Sequence, residues 1–122
     1  MLLEEKRQKP QREAGKVIIM DWFSPRILTD SGTLEVRFSE VNVRDFVKEF
    51  NDYVAQGLKI YNIIRDRAVE LALRALGLKL PREKADIPTE DLRFLAAGSL
   101  IYLVTLHEDE QEPIRVFKVK PV

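Results

Sequence analysis

The sequence predicts a small α+β domain: an antiparallel sheet of about four strands packed on a long or kinked central helix, with a short helix beside it, in the order β-β-α-α-β-β. Three observations carry this. Residues 16–23 and 33–40 are short runs of strand formers bounded by turn residues, residues 42–76 place apolar side chains at helical spacing behind a cap, and residues 99–106 and 114–120 are strand-like runs flanking an acidic turn. A chain of 122 residues with 45% hydrophobic content is one domain's worth, organised as a charged N-terminal arm over 1–15 and a single domain over 16–122.

The arm holds little that could enter a core and carries Pro10 and Gly15, a composition that solvates rather than packs. The first strand is "KVIIMDWF" and the second "TLEVRFSE", in which Leu34, Val36 and Phe38 alternate with Glu35, Arg37 and Ser39. The two are expected to pair as a hairpin across "TDSG".

Asn42 with Asp45 three residues on is a helix start: the Asn side chain accepts from a free backbone N–H, and a carboxylate sits in the positive first turn. Phe46, Val47, Phe50, Tyr53 and Val54 follow at helical spacing. Gly57–Leu58 has the form of a helix stop, but Leu58, Lys59 and Ile60 supply no new cap. The stripe Phe50, Val54, Gly57, Tyr61, Ile64, Ala68, Leu71, Ala75 stays in phase, which favours one continuous helix. Such a helix over 43–76 would be about 51 Å long, longer than the roughly 35 Å diameter of a domain this size. Either the helix bends sharply at Gly57, or its end lies against a second copy of the chain.

Gly77 and Pro81 close that element, and "KLPREKADIP" is a linker. Thr89 caps a short helix, "EDLRFLAA", after which "SLIYLVTL" reads as a core strand, "HEDEQE" as its turn and "IRVFKVK" as the returning strand. The uncharged run over 94–106 has thirteen residues, too few for the roughly 20 that a spanning helix needs. No secretory pattern opens the chain, cysteine is absent, and a cytoplasmic location is expected. Charged residues reach 33% against only seven Asn and Gln, a thermophile-like balance.

Chemistry-bearing motifs are sparse. His107 with Glu108, Asp109, Glu110 and Glu112 matches no metal-ligand spacing, and the turn reads as solvated. Asp30, Glu35 and Arg37 resemble the acid pattern of metal-dependent nucleases in position only, because Arg replaces the water-activating Lys. No nucleophile elbow, phosphate loop or dinucleotide motif occurs, and no cofactor is implied. No stretch is diagnostic of a known family.

Charge distribution says more. The chain is neutral overall, with 20 basic and 20 acidic residues, yet residues 59–84 hold seven basic and three acidic side chains while 86–112 holds seven acids and one Arg. Two functions follow. The first is a non-enzymatic assembly or protein-interaction protein acting as a homo-oligomer through the apolar stripe, with Trp22, Tyr61, Ile64 and Leu71 as interface candidates and the opposed charge blocks setting register. The second is a nucleic-acid-binding module using Arg65, Arg67, Arg74, Lys79, Arg82 and Lys84, against which stand the interrupting Asp66 and Glu70 and the lack of an interleaved aromatic. A metal-dependent hydrolase is third.

Overall fold

The computed structural model describes residues 16–22, 36–85 and 99–121. In chain order the elements are β1 (Lys16–Met20), β2 (Val36–Val41), α1 (Val43–Ala55), β3 (Lys59–Ile63), α2 (Arg67–Ala75), β4 (Leu100–Leu106) and β5 (Ile114–Pro121). The strands form one mixed sheet in the order β2-β5-β4-β1-β3, in which β1 runs parallel to both β3 and β4 while β5 is antiparallel to β4 and β2. The arm over 1–15 and the Thr89-capped helix lie outside the described residues.

The expected hairpin of β1 with β2 is not formed. β1 is an interior strand between β4 and β3, and β2 is an edge, paired to β5. The reason lies in composition: Val17, Ile18, Ile19 and Met20 are an unbroken apolar run, all buried, which suits a strand covered on both faces. β2 by contrast exposes Arg37, Phe38, Ser39 and Glu40.

The single long helix is also replaced. α1 ends at Gln56, Gly57 has φ +84, and the Gly57 and Leu58 amides donate to the carbonyls of Val54 at 3.0 Å and Tyr53 at 3.1 Å. This pair of bonds is a Schellman stop. α2 repeats it, with Gly77 at φ +92 donating to Arg74 at 2.9 Å and Leu78 to Leu73 at 3.1 Å. Residues 58–60 supply no cap because the next element is a strand, whose Ile60, Tyr61 and Ile63 favour extended backbone. Nothing lies within 4 Å of a Cβ added at Gly57, so Gly57→Ala carries only backbone strain. It is expected to destabilise by about 1 kcal/mol, whereas in an uninterrupted helix it would stabilise by about as much. The direction of the shift in a thermal melt separates the two.

The capping predicted at Asn42 is present, with the Asp45 amide donating to Asn42 Oδ1 at 3.1 Å. Phe46 and Phe50 of α1 and Val69 and Leu73 of α2 pack with Val17, Ile19, Tyr102, Val104, Ile114 and Val116. Both helices therefore share one face of the sheet. The opposite face carries the cross-strand rows Tyr61, Ile18, Ile101, Val119, Phe38 and Ile63, Met20, Leu103, Phe117, Glu40.

The free side of β3 is strapped by the segment after α2. Asn62, buried, donates through Nδ2 to the Pro81 carbonyl at 2.8 Å and accepts the Ile64 amide at 3.1 Å on Oδ1, while its own carbonyl accepts the Ala85 amide at 2.9 Å. A buried amide side chain with all these partners satisfied fixes the strap in one place.

Candidate anion-binding groove

α2 starts where β1 and β3 end. Asp21, one residue past β1, accepts the backbone amides of Arg65 at 3.1 and 3.2 Å and of Asp66 at 2.7 Å, and Asp66 in turn caps α2 by accepting the Ala68 amide at 2.9 Å. Two carboxylates at the positive end of the helix hold its direction.

With Val69 and Leu73 turned to the core, the spacing i, i+3, i+4, i+7 places Arg67, Glu70, Leu71 and Arg74 on one outward stripe of α2. Arg82 and Lys84 of the strap form the facing wall, and together these six side chains line a groove of about 500 Å³. Four cations and one carboxylate give it a formal charge of +3.

The cations divide by role. Arg74 donates to Glu70 at 3.1 Å and to the carbonyls of Leu80 at 2.7 Å and Pro81 at 3.3 Å. Lys84 donates to the Ile64 carbonyl and lies 3.2 Å from Glu70. These two tie the strap to α2, and Glu70 is their common anion. Burial alone would raise the Glu70 carboxyl, but hydrogen bonds from Arg74 and Lys84 outweigh it and hold the group below the usual carboxylate range. Locked in ion pairs, Glu70 is a structural anion and a poor proton carrier. Arg67 and Arg82 have no hydrogen-bond or ion-pair partner among the described residues, which leaves two guanidinium forks for a ligand.

The sequence candidates separate accordingly. Arg67, Arg74, Arg82 and Lys84 line the groove. Arg65 stands beside it with its guanidinium 5.7 Å from the centre of the Trp22 indole. Lys79 is exposed and its amide donates to Asn51, so it is outside this constellation. Of the interface candidates, Ile64 is 1% exposed and belongs to the core, and Tyr61 is half-buried on β3 beneath the Lys59 ammonium. Trp22 and Leu71 are 52% and 54% exposed, the latter within the groove.

Two features of this site escaped the sequence. Glu70, which reads there as an interruption of a basic patch, is its organiser. An aromatic in contact with one of these cations, Arg65, is Trp22, beside an Asp21 that lies 44 positions from its partner Arg65.

Elsewhere, Asp30 and Glu35 lie outside the described residues, and Arg37 is exposed on β2. His107 is bonded through Nε2 to Thr105 Oγ1 at 2.9 Å, and no group of three metal-capable side chains occurs among the described residues. A second polar cluster joins α1 to the sheet: Tyr102 donates to Glu49, and Lys118 lies 3.8 Å from Glu49 and over the Tyr102 ring. Burial first, then the Glu49 hydrogen bond, keeps the Tyr102 phenol protonated well above its ordinary range, a fixed donor.

The fold is thus a small α+β domain with a mixed five-stranded sheet, two helices on one face among the described residues, and a basic groove on the outer side of the second helix. B116 of Sulfolobus turreted icosahedral virus has a similar structure, with a TM-score of 0.61 over 86% of this chain and 98% of that one, at 15% identity. At that identity the likeness is one of fold. No protein-family model and no curated protein matches the chain. No helix among the described residues is long and apolar enough to cross a membrane.

Proposed function

We propose that the chain is a cytoplasmic nucleic-acid-binding module that grips phosphates through Arg67 and Arg82, with Arg74 and Lys84 shaping the groove around them. The observation that carries this is two guanidinium groups without a partner among the described residues, both lining a cleft with net positive charge, in a protein whose overall charge is zero. Planar guanidinium forks match phosphate oxygens, and the field is local to this cleft rather than spread over the surface.

Anisotropy titration of a labelled oligonucleotide tests it. Binding is expected to weaken steeply between low and moderate salt, and the double reversal R67E/R82E is expected to lose more than tenfold in affinity at low salt and to flatten the salt dependence by roughly one to two phosphate contacts. Equal affinity in the double variant would overturn the assignment.

Self-association is the second reading. Its long helix is gone and Ile64 is internal, so it rests on the exposed Leu71, Leu76 and Trp22. It predicts a mass above 14.2 kDa by light scattering that survives high salt. Leu71→Asp would return that mass to the monomer.

A further inference from the structure

We infer that Trp22 is a base-stacking platform, which makes the ligand of this groove a single-stranded nucleic acid with unpaired bases rather than a duplex. This rests on the phosphate-binding reading of the groove and names its substrate class.

Trp22 is the single tryptophan of the chain, and it is not a core residue. About half of it is exposed, and aromatic residues are enriched where proteins make contacts. Here its position is held rather than loose. The neighbouring Asp21 carboxylate is fastened to the Arg65 and Asp66 amides, and the Arg65 guanidinium lies over the indole. One cation–π partner orients the ring and still leaves 52% of the residue open to a second, planar one.

The platform and the groove are linked through the start of α2, where Asp21 holds the Arg65 and Asp66 amides. Arg65 lies two positions before Arg67, a span of at most about 7 Å of chain. Ile64, the residue before Arg65, is the one whose carbonyl Lys84 grips. Residues 64–67 thus carry, in sequence, an anchor for the far wall, the cation that backs the indole, the helix cap and the first free guanidinium.

An aromatic face beside a cationic groove is the arrangement that binds single strands: phosphates lie along the charges and a base lies on the ring. Every base has a π-face, so the recognition tolerates sequence. In a duplex the bases are stacked on one another and none within the helix is free to reach a surface tryptophan.

The single tryptophan makes the test direct. Intrinsic fluorescence and anisotropy are followed together while the protein is titrated with a labelled twelve-residue oligothymidylate, and separately with its duplex on oligoadenylate. The expected result is quenching of Trp22 that saturates in step with anisotropy for the single strand, with weaker binding and little quenching for the duplex. Trp22→Ala should weaken single-strand binding by about tenfold or more, and Trp22→Phe should retain most of it.

Anisotropy that rises while fluorescence stays unchanged, with Trp22→Ala binding as tightly as the parent, would overturn the stacking platform and leave the groove's phosphate contacts standing. Duplex bound as tightly as single strand with equal quenching would overturn the single-strand preference. No anisotropy change with either probe at low salt would overturn the groove reading itself, and this inference with it.

Discussion

Phe50→Ala is expected to destabilise the domain by about 3–5 kcal/mol, a drop in melting temperature on the order of 10–20 °C. Phe50 is fully buried, its ring centroid 5.7 Å from that of Phe46, which itself stands 4.9 Å from Tyr102 of β4. These three aromatics join α1 to the middle of the sheet. Removing the first of them leaves a cavity that its stiff neighbours cannot close, so transfer and cavity costs add. Leu71→Ala is the matched control: on a single apolar stripe the two positions would share a buried face, whereas here Leu71 is more than half exposed and its truncation should move stability by less than about 0.5 kcal/mol. Urea melts of the two variants side by side check this. Comparable losses at both positions would contradict the division into α1, β3 and α2.

Glu70→Gln is expected to cost about 1–2 kcal/mol at neutral pH, between the value of a surface pair and that of a buried one. The Glu70 side chain is 13% exposed and serves two cations, so its loss leaves Arg74 and Lys84 facing each other without their anion. The pH dependence has a definite sign. The carboxyl sits lower in the folded chain than its ordinary 4.5, so the stabilisation is fully present above that value and is lost as pH falls through the lower folded one. Parent and variant melts should therefore differ at neutral pH and converge as the pH falls below the ordinary carboxylate range. A gap that stays constant across that range would mean that the ion pairs contribute nothing to holding the strap.

The sequence was most legible where local chemistry decides. Asn42 and Asp45 mark a helix start that the structure reproduces, and the runs at 99–106 and 114–120 are the β4–β5 hairpin around the acidic turn. Periodicity misleads where a local stop interrupts it. Gly57–Leu58 carries the same end signal as Gly77–Leu78, and both stop a helix by the same two hydrogen bonds. The in-phase stripe between them was coincidence: Ile64 is a core residue, Tyr61 faces the other side of the sheet, and Leu71 faces water.

Strand order was the second failure, and it is non-local by nature. Nothing in "VIIM" names its neighbours, although its lack of alternation did signal a strand covered on both faces. The site divides the same way. Its cations were legible as a charge block, because four of them lie on one helix stripe and the strap that follows it. Which of those cations are free, and that Trp22 stands beside them, depended on contacts that join distant parts of the chain.

The interior place of β1, between two strands that follow it in sequence, has a consequence for how the protein is made. Its two partners are residues 59–63 and 100–106, so the first strand of the described chain is flanked on its second side only after a long stretch of further synthesis. At roughly 5–20 residues per second, several seconds pass between the addition of the first partner and that of the second, during which Val17, Ile18, Ile19 and Met20 can pair on the β3 side alone. Parallel pairings at this separation carry a large loop-closure cost, which places the domain among slow folders for its size. A nascent chain stalled before residue 100 therefore leaves the β4 side of an apolar strand unpaired, within reach of any chaperone.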